Sequence, residues 1–254
     1  MIKLMMGDCL ERMKDIESGS VDLTVTSPPY EDMRKYNGNN DDWSELSWQF
    51  ALKELYRTTK EGGVVVWVVG DKTKQGSESG VSFKQALYAM SCGFSLHDTM
   101  IYEKAQACFG SNNCYLQSFE YMFIFSKGKP KSINFIRDRE NVRGGKIEST
   151  VSSGMDSDGV SGDRIYKKAQ KLGKRKNIWK YGVGGGSTGH PAVFPQALSD
   201  DHIKSWSNEG DTVLDCFMGS GTVGISCKNL NRSFIGIELD ETYFNIAKDR
   251  IEKA

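Results

Sequence analysis

The chain has 254 residues, of which 38% are hydrophobic and 26% charged, and its 33 basic and 33 acidic residues give a formal net charge of zero. This length can bury one sizeable core, and no stretch approaches the apolar length that crosses a membrane. The six cysteines form no C-x-x-C motif and the three histidines do not cluster with them, which excludes a disulfide framework and a zinc site and favours a metal-free protein of a reducing, cytoplasmic compartment.

Seven apolar runs rich in β-branched and aromatic residues alternate with helical patterns along the chain. The run from Val64 to Val69 is continuous rather than alternating, which is typical of a strand covered on both faces. Alternating strands and helices predict an α/β fold with an open, doubly wound, mostly parallel sheet. The predicted strands are 2–6, 21–27, 63–69, 94–102, 119–125, 211–217 and 233–239. The predicted helices are 8–16, 44–60, 81–91, 195–207, 220–230 and 240–252, the last with Asp240 as its N-cap.

Residues 128–188 interrupt this alternation with a segment rich in Ser, Gly and basic residues. It has few large apolar side chains, so we expect a loop-like insertion within a single domain that spans residues 1–254. From Lys127 to Lys180 there are 15 basic and 6 acidic residues, a net charge of +9, and Arg164 to Lys180 holds eight basic residues and no acid. Such a local field attracts phosphates, although a solvated basic face is the usual alternative.

Thr26-Ser27-Pro28-Pro29-Tyr30 follows the apolar run that begins at Val21. A proline fixes its own φ, lacks an N–H group and pushes the preceding residue towards an extended conformation. The Pro28 carbonyl is therefore available to accept a hydrogen bond from an amino group, and Tyr30 can stack on a flat ring that carries it. An isolated motif of this kind is more often a turn with a buried tyrosine.

A second motif, from Asp211 to Thr222, has the pattern of a strand, a glycine turn and a helix start. The turn has the spacing G-x-G without a third glycine, which disfavours a pyrophosphate cofactor. Asp215 at the end of the strand could pair with a cationic amino group. Glu238 ends the next predicted strand, where a carboxylate binds ribose hydroxyls in sheets of this kind. The two carboxylates and the turn favour a ribose-bearing ligand with an ammonium group, such as S-adenosylmethionine.

With these motifs in this order, the chain resembles the amino-methyltransferases of DNA, which methylate adenine N6 or cytosine N4 in bacterial and phage modification systems. It is most similar to their β arrangement, in which the catalytic motif precedes the cofactor motif and the target-recognition region lies between them. The resemblance covers nearly the whole chain. The other matching segments are Gly7-Asp8-Cys9-Leu10, Gly62 to Asp71, Glu120 to Lys127 and His190 to Pro195.

The resemblance implies a sheet of six parallel strands and one antiparallel strand, hence seven in all, S-adenosylmethionine as the methyl donor and double-stranded DNA as the substrate. It implies a catalytic role for Ser27, Pro28, Pro29 and Tyr30. The cofactor-binding residues that it implies are Asp8, Cys9, Thr26, His190, Phe194, Pro195, Asp215, Phe217, Gly219, Ser220, Gly221, Thr222 and Glu238. The insertion at 128–188 would be the target-recognition region. The expected DNA contacts are Lys104, Lys167, Lys168, Lys171, Lys174, Arg175 and Lys176.

Ser27 bears on the choice of target base. In the family, Asp at this position usually accompanies adenine and Ser usually accompanies cytosine N4, which favours cytosine N4 over adenine N6. A hydroxyl can donate or accept a hydrogen bond, whereas a carboxylate only accepts. Methylation at cytosine C5 would need a nucleophilic cysteine after a proline, and the chain has no Pro-Cys dipeptide.

Two other functions remain open at this point. Related Pro-Pro-Tyr motifs act on RNA or protein amides, although these usually begin with Asn and a protein substrate would not need the basic insertion. A catalytically silent DNA-binding partner would keep the fold, although both motifs are intact here. Relatives of the β arrangement are often dimers, so a homodimer in the cytoplasm of a bacterial cell or a phage-infected host is one expectation.

Overall fold

The computed structural model describes residues 1–29, 43–106, 115–142, 144–151, 164–183 and 194–254. The chain divides into two compact units. Met1–Asn134 together with Asn177–Ala254 form one, which we call the sheet unit, and Phe135–Lys176 form the other, the hairpin unit.

The elements follow each other in chain order as strands β1–β14 and helices α1–α6. The strands are Ile2–Met6, Val21–Thr26, Thr59–Val69, Thr73–Lys74, Ser77–Glu78, Ser95–Lys104, Phe119–Ser126, Arg137–Glu140, Ile147–Val151, Arg164–Lys168, Leu172–Lys174, Ile178–Tyr181, Thr212–Asp215 and Ser233–Glu238. The helices are Cys9–Arg12, Glu45–Thr58, Val81–Ser91, Gln196–Trp206, Thr222–Asn229 and Glu241–Lys253, and a 3₁₀ turn at Met13–Asp15 follows α1.

The main sheet contains eight strands among the described residues, in the order β1-β14-β13-β2-β3-β7-β6-β12. Strand β7 is antiparallel to both neighbours, and the other seven strands run in one direction. The prediction of a doubly wound, mostly parallel sheet is confirmed, but the expected number of seven strands is wrong. The additional strand, β12, lies inside the segment predicted to be loop-like. It has only four residues, and only Trp179 among them is buried, so its apolar signal is weak.

Strand β3 forms the centre of the core because both of its faces are covered. Val65, Trp67 and Val69 belong to the same apolar cluster as Trp48 and Leu52 of α2. Alternate residues of a strand point to opposite faces, so the equally buried valines between them point to the other face of the sheet. The polar atom of the central indole is satisfied, since Trp67 Nε1 donates to Gln85 Oε1 at 2.9 Å.

Helix α6 begins as the sequence predicts. The carboxylate of Asp240 accepts a hydrogen bond from the Tyr243 N–H at 3.0 Å, which caps the helix. Its buried face packs against the glycine turn before α5: a Cβ atom built on Gly221 would lie 2.9 Å from the Cβ of Ala247. Helix α6 therefore determines the position of the glycine turn before α5.

The hairpin unit is more regular than expected. Strand β8 pairs antiparallel with β11, and β9 pairs antiparallel with β10. Backbone hydrogen bonds from Asn141 N to Lys171 O and from Ala169 N to Lys146 O join the two pairs into one long ribbon. The expectation of a loop-like segment at 128–188 is wrong here because an antiparallel ladder needs backbone partners and no apolar pattern. No helix within the described ranges is long and apolar enough to cross a membrane.

Candidate active site at the carboxyl edge of the sheet

The candidate site lies where the sheet reverses its winding. Strand β2 leads through α2 to its neighbour β3 on one side, whereas β13 leads through α5 to β14 on the other side. Because β2 and β13 are themselves neighbours, a crevice opens beyond their carboxyl ends, which is where open α/β sheets bind ligands. Thr26 ends β2 and Asp215 ends β13, so both predicted motifs meet at this crevice.

A buried hydrogen bond joins the two motifs. Thr26 Oγ1 donates to Asp215 Oδ1 at 2.7 Å, and the backbone N–H of Phe217 donates to the same oxygen at 3.1 Å. Asp215 Oδ2 accepts no hydrogen bond from the described residues. Burial raises the pKa of Asp215 to about 7, an effect that the Thr26 and Phe217 hydrogen bonds partly oppose. The carboxylate is oriented, and none of the described residues pairs it with a positive charge, so a cationic ligand would stabilise its ionised form.

Glu238 supplies a second oriented carboxylate at the end of β14. Its Oε2 accepts from Gly219 N at 2.7 Å and its Oε1 accepts from Asp240 N at 2.9 Å. Burial raises the pKa of Glu238, and these backbone donors partly oppose that shift. Each oxygen keeps a further lone pair that can accept from a ligand hydroxyl.

The glycine turn between β13 and α5 is built to bring backbone close to a ligand. Gly219 and Gly221 have φ values of 52° and 81°, a region that favours glycine. The turn is braced from α6, because the Arg250 guanidinium donates to the Ser220 carbonyl oxygen. Thr222 Oγ1 is buried at the start of α5 and has no hydrogen-bond partner among the described residues.

The catalytic motif continues directly from β2 into the crevice. Ser27 and Pro29 are half-buried and Pro28 is buried. Tyr30 lies outside the described residues. The structure thus brings Ser27 and Pro28 to the same sheet edge as the two carboxylates.

The remaining predicted cofactor residues come from other parts of the chain. Asp8 caps α1 by accepting from Leu10 N at 2.9 Å, and Gly7 N donates to the Glu238 carbonyl oxygen at 2.9 Å. Cys9 is buried in the core, and burial raises the pKa of its thiol. Phe194 and Pro195 are half-buried just before α4, while His190 lies outside the described residues.

Aromatic rings form one wall of the edge. The half-buried Phe217 ring meets Trp43 edge-on at 5.1 Å between ring centroids and lies 6.2 Å from Trp67. Trp48 belongs to the core instead, where it contacts Tyr88 edge-on at 5.5 Å.

Sequence reasoning did not single out Asp71 as a site residue, although it follows the end of β3 at the same edge. Its buried carboxylate accepts from the backbone N–H of Ser82 at 3.1 Å and from the hydroxyls of Ser79 and Ser82. The sequence signal that could have found it was an acidic residue directly after a long apolar run.

The predicted DNA contacts fall into two groups. Lys104 ends β6 in the sheet unit and forms an ion pair with Glu120 at 2.7 Å, with both side chains largely buried. The others lie in the hairpin unit, where Lys167 is on β10 and Lys168, Lys171, Lys174 and Lys176 are exposed. Arg175 forms an ion pair with Asp138, with 2.7 Å between its Nε and Oδ2. Part of the predicted positive charge is therefore already neutralised within the protein.

The chain matches the model of the N6_N4_Mtase family, described as DNA methylase, over residues 21–249. It belongs to this family of DNA methyltransferases. It is 50% identical over 250 residues to the orphan methyltransferase M.BamHII of Bacillus amyloliquefaciens, a match that covers 94% of this chain and 91% of that protein.

Solved structures show the same relationship. The complex of M1.HpyAVI with S-adenosylmethionine is 26% identical, with a TM-score of 0.64, and the match covers 99% of both chains. The cytosine-N4-specific PvuII methyltransferase has a TM-score of 0.70 at 19% identity, with 98% of this chain and 86% of that chain covered, which supports the fold. The protein is an enzyme of this family and uses S-adenosylmethionine.

The chemistry of the edge fits this cofactor. A carboxylate with an open oxygen suits its cationic amino group, and a second oriented carboxylate suits ribose hydroxyls. The buried Thr222 hydroxyl, which has no hydrogen-bond partner among the described residues, could bond to a ligand. Among the described residues, no three His, Cys, Asp or Glu side chains are grouped so that they could hold a metal ion.

Proposed function

We propose that this enzyme methylates N4 of cytosine in double-stranded DNA. The observation that carries the proposal is the position of Ser27, which follows β2 at the crevice and offers a hydroxyl where a carboxylate would only accept. A hydroxyl can serve the amino group or the neutral ring nitrogen of cytosine. Adenine N6 is the alternative, and a catalytically silent DNA-binding subunit is the alternative from another class.

The residues at the edge would hold the cofactor in three places. The open Oδ2 of Asp215 would accept from the amino group, Glu238 from the ribose hydroxyls, and the Gly219–Gly221 turn would approach the ligand between them. Phe217 and Asp8 would border the adenine ring. Phe194 and Pro195 would line the methionine end. When bound, S-adenosylmethionine supplies an electrophilic methyl group on a positively charged sulfur.

Ser27 and Pro28 would prepare the base. The exocyclic amine is a poor nucleophile because its lone pair is delocalised into the ring. Acceptors beside its N–H groups draw the nitrogen towards a tetrahedral form and free that lone pair. The Pro28 carbonyl and the Ser27 side chain would be these acceptors, with Tyr30 stacked on a base that has been flipped out of the duplex. The methylated amine loses its extra proton readily, so a strong general base is not required.

Incubation of unmodified double-stranded DNA with the enzyme and cofactor, followed by mass spectrometry of the nucleosides, tests the proposal. We expect N4-methylcytosine. N6-methyladenine as the sole product would refute the cytosine assignment, and no methylated nucleoside would support a silent subunit.

A further inference from the structure

One face of the ribbon in the hairpin unit carries a row of long polar side chains. Arg139 and Asn141 both lie over Gly173, and Arg137 precedes them on β8, beyond a register shift in the ladder opposite Gly173 and Lys174. Arg139 lies opposite Gly173 in the ladder with β11. A Cβ atom built on Gly173 would collide with the Arg139 guanidinium and lie 2.5 Å from Asn141 Oδ1. The absence of a side chain at Gly173 therefore leaves room for both polar groups.

Each side chain in the row makes one hydrogen bond to another described residue. Arg139 Nε donates to the Lys174 carbonyl oxygen at 3.1 Å, and Arg137 Nη1 donates to Gln170 Oε1 at 3.1 Å. Asn141 Nδ2 donates to the Gln170 carbonyl oxygen at 2.9 Å. Both terminal nitrogens of Arg139 and the Oδ1 of Asn141 have no hydrogen-bond partner among the described residues. The Arg139 nitrogens can donate two parallel hydrogen bonds to a base edge, and Asn141 can accept through Oδ1 and donate the second hydrogen of Nδ2.

The opposite face of the same strand has the opposite character. Glu140 lies between Arg139 and Asn141 and so points away from them, and Asp138, at the register shift, is bonded by Arg175. This bond lowers the pKa of Asp138, which keeps the carboxylate ionised. Because nucleic acid repels carboxylates, only the arginine face is suited to it.

We infer that Arg137, Arg139 and Asn141 read base edges in the major groove and thereby determine the recognition sequence. A two-stranded ribbon fits the major groove, where arginine pairs with O6 and N7 of guanine and asparagine pairs with N6 and N7 of adenine. The inference rests on the proposed action on double-stranded DNA. It assigns the exposed lysines, such as Lys171, to phosphates, which carry no sequence information.

The test is methylation of a DNA library with randomised sequence by the wild-type enzyme and its variants, followed by sequencing that detects both methylated cytosine and methylated adenine. For Arg139→Ala we expect discrimination at one guanine position to fall about 10- to 100-fold. Arg139→Lys keeps the charge but loses the planar fork, so it should relax the same position. Lys171→Ala is the matched control, since it removes a neighbouring exposed charge and should slow methylation at every sequence alike.

A second variant guards against a folding failure. Gly173→Ala removes no polar group but displaces the Arg139 guanidinium, so it should change the same position as Arg139→Ala. An unchanged recognition sequence in Arg139→Lys and Gly173→Ala, with only a uniform loss of rate as in Lys171→Ala, would overturn the inference.

Failure of the proposed function gives a different result. Methylated adenine in place of cytosine refutes the target base, while the variants still report on recognition at the flanking positions. If the wild-type enzyme modifies no duplex, selection of bound duplexes from the same library replaces methylation as the measurement. Relaxed selection by the Arg139 variants then supports the inference, and unselective wild-type binding overturns it.

Discussion

The carboxyl edge of the sheet and the arginine face of the ribbon hold their charged groups in opposite ways. At the edge, Asp215 and Glu238 are fixed by short hydrogen bonds and their pKa values are raised by burial. On the ribbon, Arg137 and Arg139 are exposed and anchored at one point each. The first arrangement suits a small ligand that must be placed accurately, and the second suits a large polyanion. Substitutions in the two regions should therefore change different measurements.

The largest expected effect is on the pH dependence of the free energy of unfolding, to which buried Asp215 and exposed Asp138 should contribute differently. The folded pKa of Asp215 is about 7, above its ordinary 3.8, so between these pH values the unfolded chain loses a proton that the folded chain keeps. The Asp215 contribution to the free energy of unfolding of the cofactor-free protein should therefore fall by up to about 4 kcal/mol as pH rises from 4 to 7. Buried His202, whose pKa is lowered to about 3 by burial, contributes with the opposite sign, so the effect of Asp215 is the difference between the wild type and Asp215→Asn. Denaturant unfolding across this range measures it.

Asp138 provides the matched control in the hairpin unit. Its pKa is lowered by Arg175, so its contribution has the opposite sign: it is present above the ordinary pKa and is lost as pH falls. Asp138→Asn should therefore leave the slope between pH 4 and 7 in place. Equal slopes in wild type and Asp215→Asn would contradict the buried, uncompensated state of Asp215.

The next effect concerns the chemical step. Removal of the Ser27 hydroxyl takes away one of two proposed acceptors, so Ser27→Ala should lower kcat about 100-fold, by analogy with loss of one oxyanion-hole donor. DNA and cofactor affinities should change little. Ser91→Ala, which removes an exposed hydroxyl at the end of α3, is the control for single-turnover assays. Unchanged kcat in Ser27→Ala would exclude a role in activating the amine.

Cofactor affinity should respond to Glu238. Glu238→Gln removes the charge and makes one of its two polar atoms a donor facing a backbone donor, so we expect about 10- to 100-fold weaker binding by calorimetry. Glu241→Gln alters an exposed acid three residues later and should bind as wild type does. Weakened DNA binding with normal cofactor binding would contradict a role for Glu238 in cofactor binding.

Removal of the hydrogen bond between Thr26 and Asp215 should have a smaller effect on cofactor binding. Thr26→Val removes the donor to Asp215, which frees the carboxylate to rotate and raises its pKa further. The KM for the cofactor should rise about 10-fold near neutral pH, where a lost hydrogen bond to a charged group has this magnitude. Thr26→Ser keeps the hydroxyl and should restore KM. No rescue by serine would mean that Thr26 acts by packing alone.

The sequence predicts the edge well because each of its parts is local. A strand followed by a glycine turn placed Asp215, and a second strand end placed Glu238. The Thr26–Asp215 bond could not be predicted, since the two residues are 189 positions apart and meet only through the sheet order. The ribbon was missed because its ladders depend on backbone pairing, and β12 was missed because it has a single buried residue. The roles of all the site residues stay predictions, and Tyr30 and His190 lie outside the described residues.

The separation of chemistry from recognition is tested most directly by one pair of titrations. DNA affinity and the single-turnover methylation rate at saturating DNA are measured together for Ser27→Ala and Lys171→Ala over a range of salt concentrations. Ser27→Ala should keep the wild-type affinity and lose rate. Lys171→Ala should keep the rate and show a salt dependence of affinity reduced by about one phosphate contact. Loss of rate in Lys171→Ala at saturating DNA, with affinity unchanged, would contradict the account.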